Sequence, residues 1–190
     1  MKILAFAASH RPASLNRQLL NVAVAYTKHS HPTLAIETQP FDFFDLPLFN
    51  DAVREESGMP PHADTICAMF AASDALVIAA PEYNWSIPAG LKNILDWISC
   101  YRPVPLQGKA AFLMCATPSE RGGMLGLTHL KTTLEGLGTF VYPTMFGLGQ
   151  THISLQEGAI REAKKRQQLH DQLDGFVGYA KALQRDLRQY

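Results

Sequence analysis

The chain has 190 residues, enough for one compact domain that buries about 70% of its unfolded surface. Seventeen basic residues balance seventeen acidic ones, which argues against a large surface for nucleic acid or an anionic membrane but leaves room for a local phosphate pocket. No apolar run approaches the ~20 residues that span a bilayer, and Cys67, Cys100 and Cys115 are too widely spaced for a CxxC pair or a disulfide framework; buried thiols in a reducing cytoplasm are expected instead.

The start, MKILAFAASHR, resembles a secretory leader only briefly. Its apolar part runs into His10 and Arg11, so it reads as a first strand, Lys2–Ala7. The loop that follows, SHRPASLNRQLL, contains neither GxGxxG nor GxxxxGK[ST]. It does gather Ser9, Arg11, Ser14 and Asn16 around the first turn of a helix striped by Leu15, Leu19, Val22, Ala23 and Tyr26. Hydroxyls, an amide, a guanidinium and free backbone N–H groups suit a phosphate monoester with its ~2 negative charges. The plainer alternative is a capped helix, with Ser14 as N-cap and Arg11 in solvent.

A second strand spans Leu34–Thr38, and the connection Gln39–Pro60 is too long and too aromatic for a simple link, which points to function or an interface. Ile66, Met69 and Phe70 mark a helix over 61–72. The third strand, Ala75–Ala80, breaks into Pro81, Glu82, Tyr83 and Asn84; Ser86 and Pro88 then suit entry to a helix bearing Leu91, Ile94, Leu95 and Ile98. By itself this stretch also reads as a rigid turn with an exposed tyrosine. The fourth strand, Lys109–Ala116, leads to TPSERGGMLGL, where Gly122 and Gly123 permit close backbone approach to a ligand or a tight helix entry. A helix with Leu127, Leu130, Leu134 and Leu137 closes at Gly138, a fifth strand covers Thr139–Pro143, and a long amphipathic helix carries Leu169 to Leu187.

Three strands are continuous apolar runs, the pattern of parallel strands covered on both faces. Alternating strands and helices predict a doubly wound α/β fold, a three-layer sandwich whose five-stranded parallel sheet has order 2-1-3-4-5 and helices on both faces. Ligands in such sheets sit beyond the carboxyl ends of strands, where the order reverses. The loops after strands one and three occupy that place.

Taken together, these segments resemble the NADPH-dependent FMN reductase family, a flavodoxin-like group that includes quinone, azo-dye and chromate reductases. SHRPASLNRQLL is similar to its S-x-R-x-x-S-x-N-x-x-L phosphate loop, and PEYNWSIPAGLKNILDW to its P-E-Y-N-x-S-x-P-x-x-L-K-N-x-x-D-W signature. DLPLFND, residues 45–51, and ERGGMLGLTHLKTTLEGLG, residues 120–138, resemble family segments in the same order. The resemblance implies a single FMN-binding domain over 1–190. Ser9, Arg11, Ser14 and Asn16 would hold the FMN phosphate. Pro81, Glu82, Tyr83 and Asn84 would line the isoalloxazine, mainly through backbone groups, and Thr117, Ser119, Gly122 and Gly123 would approach its other side. Two departures stand out. Ala8 replaces a glycine often found there, and the loop Thr117-Pro118-Ser119-Glu120-Arg121 is not the usual small-residue loop, so that Arg121 would reach a nicotinamide phosphate or restrict the substrate.

The implied activity passes hydride from NADPH or NADH to flavin N5 and onward to a small electrophilic acceptor: a quinone, azo compound, free flavin or metal oxyanion. The flavin carries the chemistry, so no catalytic acid or base is expected, and no metal. Backbone N–H groups near the flavin N1–C2=O edge would stabilise the reduced anion. His29 and His31 read as exposed imidazoles rather than metal ligands. Tyr83 and Trp85 would flank the space above the ring, with a core or dimer contact as the other role for Trp85. The family pairs subunits through the helix after PEYN and the long second loop, which implies a homodimer or a dimer of dimers, in the cytoplasm. Two rival readings remain: a flavodoxin-type electron carrier without nicotinamide turnover, and a flavin-free interaction module.

Overall fold

The computed structural model describes residues 1–40 and 46–187, so residues 41–45 of the aromatic connection lie outside it. Strands β1 (Lys2–Ala7), β2 (Ala35–Gln39), β3 (Ala75–Ala79), β4 (Ala110–Ala116) and β5 (Phe140–Val141) form a parallel sheet in the order β2-β1-β3-β4-β5. Register pairs Ile3 with Ala75 and Ala75 with Ala110, so the carboxyl ends of the three central strands finish side by side.

Period-two alternation across two covered faces explains the apolar runs. Ile3, Ala5, Ala7, Val77, Phe112 and Met114 pack on one side with α1 (Leu15–Ser30) and α7 (Ala163–Leu187). Leu4, Phe6, Leu76, Ile78, Leu113 and Cys115 pack on the other with α3 (Pro61–Ala71), α4 (Ala89–Ile98) and α5 (Met124–Gly136). Each large side chain buried this way contributes about 1.5–3 kcal/mol, so both faces are strongly specified.

Several elements differ from the sequence expectation. The fifth strand is interrupted: after β5 the chain leaves the sheet at 142–145, where Pro143 supplies no N–H, and returns as β6 (Phe146–Leu148), which also pairs with β4. A short helix α2 (Asp51–Ser57) lies within the long connection, and α6 (Thr151–Ser154) with the hairpin β7 (Leu155–Gln156) and β8 (Ala159–Ile160) fills the stretch before α7. Of the thiols expected to be buried, Cys115 is; Cys67 and Cys100 are half-buried, and all three are free.

Helix α4 explains much of the NILDW pattern. Asn93 accepts from Phe49 N–H at 2.7 Å and donates to Pro47 O at 3.0 Å, while the fully buried Trp97 donates its indole N–H to Pro47 O at 2.8 Å. These bonds hold residues 47–49 of the connection against the helix, and Leu48 between them is 84% exposed.

Candidate functional site

The loops after β1, β3 and β4 converge on one small cleft of about 110 Å³, lined by Ser9, Arg11, Ser14, Leu15, Asn16, Pro81, Glu82, Tyr83, Ala116, Thr117 and Pro118. Eight of the residues singled out from sequence are therefore brought together. Asn84, Ser119, Gly122 and Gly123 are not in this lining; they belong to the loops that frame it.

The first loop is built around the start of α1. Ser14 is the N-cap, its Oγ accepting from Arg17 N–H at 3.2 Å, a contact that stabilises the helix by about 1 kcal/mol. That leaves the hydroxyl proton free to donate. The N–H groups of Leu15 and Asn16 are first-turn donors with no acceptor inside the helix, and the first turn carries no acidic residue. Ser9 is buried, its Oγ 3.4 Å from Arg11 N, and Arg11 is exposed above it. This donor set, with the positive end of the helix dipole behind it, fits a phosphate monoester.

The Asn16 side chain has a structural role besides the one expected of it. Its amide donates to Ala116 O at 3.0 Å and accepts from Ala116 N–H at 2.9 Å. The buried side chain thus extends the ladder at the end of β4 and ties α1 to the fourth loop. The amide is a brace, and its second N–H and the backbone N–H of Asn16 remain for a ligand.

The third loop is a tight hairpin. Tyr83 N–H donates to Ser86 O at 2.9 Å and Ser86 N–H donates back to Tyr83 O at 3.0 Å, with φ of +48° at Asn84 and +67° at Trp85. Two positive φ values define a type I′ turn. Asparagine tolerates that region; a tryptophan there costs on the order of 1–2 kcal/mol. On this turn Tyr83 and Trp85 stand 52% and 53% exposed, with Tyr83 in the cleft lining.

The fourth loop and the start of α5 are fastened to the third loop at three points. Glu82 Oε2 accepts from Gly126 N–H at 2.7 Å, capping α5, whose own N-cap, Gly123, has no side chain to do so. Ser86 Oγ lies 3.1 Å from His129 Nδ1, and the Arg121 guanidinium stands 4.8 Å from the centre of the Trp85 ring. Gly123 is packed so closely that a Cβ would lie 2.2 Å from Cys115 Sγ, and a Cβ on Gly122 would lie 3.0 Å from the Gly147 backbone. The two glycines thus pack α5's entry against β4 and β6. Burial pushes the Cys115 thiol up to about 12, so it stays neutral.

Sequence reasoning missed the Asn16 brace, the Glu82 cap and the Arg121–Trp85 stack. The β6 strand was missed as well, though Thr117 N–H donates to its Leu148 O at 3.0 Å and so depends on it. Among the described residues no cluster of three or more His, Cys, Asp or Glu could hold a metal, and His31 is drawn onto Asp174 at 2.8 Å.

A parallel sheet of this order, with the first turn of α1 opening into a cleft at its crest, is a flavodoxin-like fold. Residues 1–152 match the profile of the family described as NADPH-dependent FMN reductase, and the chain belongs to that family. It is similar to a quinone reductase of Escherichia coli, 30% identical over 168 residues that cover 86% of this chain and 89% of the relative. An NAD(P)H-dependent FMN reductase of Pseudomonas aeruginosa is 30% identical over 188 residues, covering 96% and 97%. Among solved structures, the flavoenzyme NAD(P)H:(acceptor) oxidoreductase FerB of Paracoccus denitrificans superposes with a TM-score of 0.81 at 26% identity, covering 95% of this chain and 97% of that one. The family's activity is flavin-dependent oxidation of a reduced nicotinamide, which separates it from simple electron carriers.

Proposed function

We propose that this protein oxidises NADPH or NADH through FMN bound at the three-loop cleft and delivers the electrons to a small electrophilic acceptor, a quinone foremost. When bound, FMN supplies the redox chemistry, accepting hydride at N5. The chain supplies binding and orientation. Ser9, Arg11, Ser14 and the N–H groups of Leu15 and Asn16 hold the phosphate; Pro81, Tyr83, Asn84 and the backbone of Glu82 form one wall of the ring site, and Thr117, Ser119, Gly122 and Gly123 the other. The Glu82 carboxylate is engaged by Gly126 N–H, so its part is to fix the walls relative to each other rather than to move a proton.

The observation that carries this reading is the shared cleft of phosphate-type donors and Tyr83 at the crest of the sheet. The experiment is an anaerobic titration of FMN-loaded protein with NADPH and with NADH. The flavin band at about 450 nm should bleach and return when a benzoquinone is added. A flavin that stays oxidised under excess nicotinamide would refute the reading.

The same proposal takes 1–190 as one domain that works as a homodimer or dimer of dimers in a reducing cytoplasm. Three free thiols support the compartment. Leu48 and Val53, at 84% and 41% exposure on a segment beginning where α4 anchors it, support a self-association face. No helix among the described residues is long and apolar enough to cross a membrane.

A further inference from the structure

Beyond the flavin cleft, on the other side of the fourth loop, lies a larger cavity of about 710 Å³. It opens between Arg121–Gly122, the end of β6 and the start of α7, and its far wall, from Ile153 to Gln168, comes after the stretch that matches the family profile. Its volume is that of sites that enclose small organic ligands. Three features set its chemistry. Met145, Leu148 and Ile153 give an apolar wall. Arg121 and Lys165 are cations with no carboxylate within salt-bridge distance among the described residues, whereas Arg161 is already paired with Glu157 at 2.6 Å. Glu162 adds an acceptor for hydroxyl groups. The second carboxylate of the lining, Glu120, already accepts from Gln150 at 3.0 Å, so an apolar face, two cations and the Glu162 carboxylate remain to match the parts of an adenosine phosphate: base, phosphate and ribose diol.

The cavity is also within reach of the flavin. Arg121 is at once part of its lining and the partner stacked on Trp85 beside the cleft. Thr117, in the cleft lining, and Arg121 are four residues apart, so their Cα atoms are separated by no more than about 14 Å. A dinucleotide whose nicotinamide lies in the cleft can extend its other half across this loop.

We propose that this cavity binds the adenosine-phosphate end of the reduced dinucleotide, with Arg121 and Lys165 holding phosphate and Met145, Leu148 and Ile153 facing the base. The proposal rests on the flavin reading for its direction, but its test does not. Adenosine 2′,5′-bisphosphate and ADP are titrated calorimetrically into FMN-loaded and flavin-free protein, as wild type and as Lys165→Ala, Ile153→Glu and Lys164→Ala. Lys164 is the exposed neighbour outside the lining, and Ile153 is itself 56% exposed, so these substitutions leave the core intact. One-to-one binding to wild type should weaken about tenfold in Lys165→Ala and Ile153→Glu, the scale of one charge-assisted contact, and stay within twofold in Lys164→Ala. KM for the nicotinamide should rise in step, with the FMN dissociation constant unchanged. Absence of adenylate binding to wild type, or equal losses in all three variants, would overturn the proposal. A protein that binds the adenylates as described but never takes up FMN would keep this site and sink the flavin reading instead.

Discussion

Removing the Asn16 amide tests whether that residue is a brace or a ligand. In Asn16→Ala, the N–H and C=O of Ala116 both lose their partner, at a position where Asn16 is 3% exposed. A buried polar group left unpaired costs about 1–3 kcal/mol, and two such groups beside a cleft that admits some water give a loss of about 2–4 kcal/mol. The assay is urea unfolding of flavin-free protein, with Asn21→Ala, an exposed site on the same helix, as reference for helix propensity. The midpoint should fall with the slope unchanged. Asn16→Asp adds a sign test. It keeps the acceptor for Ala116 N–H but sets a buried carboxylate against Ala116 O, so its folded pKa rises above the unfolded ~3.9. The folded state then binds the extra proton, and the deficit is largest at neutral pH and shrinks as pH falls through the folded pKa. Flavin-free Asn16→Ala within about 0.5 kcal/mol of Asn21→Ala, with only FMN binding impaired, would refute the brace.

Gly123→Ala should destabilise by about 2–4 kcal/mol, because φ of +73° and a Cβ 2.2 Å from Cys115 Sγ act together. Gly158→Ala, at φ +71° with nothing within 4 Å, should cost only about 1–2 kcal/mol in the same denaturation series, and equal losses would show that the contact is relaxed at no expense. His170, stacked 3.7 Å from Tyr26, is held below 6.5, first by burial and then by Arg166, against the opposing pull of Asp174 and Asp171. Its folded pKa is depressed, so the unfolded state binds the proton first, and stability should drop as pH is lowered through 6.5; His170→Phe keeps the stack and should remove that part of the slope in a pH series of thermal midpoints.

The layers of the fold were legible because their signals are local. Runs such as ALVIA and AAFLMCA can be buried on both faces only in a parallel, doubly covered sheet, and the leucine spacing after Gly123 fits only a helix. The fifth strand was half legible: Phe140–Val141 reads as strand, but Pro143 hides the return at Phe146–Leu148, which is only three residues long. The site's location was legible from loop position. Its internal wiring was not, since the contacts join residues far apart in sequence: Asn16 and Ala116 are separated by 100 positions, Glu82 and Gly126 by 44. Both residues look like ligands in sequence because cleft-lining polar groups and loop-fastening polar groups are the same types. Trp85 hides its turn for the opposite reason, as a bulky aromatic is not a residue that marks positive φ.

The central claim is that the start of α1 recognises a phosphate so that the crest can hold the ring attached to it. Fluorescence titration of flavin-free protein with FMN and with riboflavin, which lacks only that phosphate, tests it most directly. FMN should bind at least about a hundredfold more tightly, the scale of two charge-assisted hydrogen bonds, and Arg11→Ala should close part of that gap while leaving riboflavin unaffected. Equal affinity for the two flavins would contradict it.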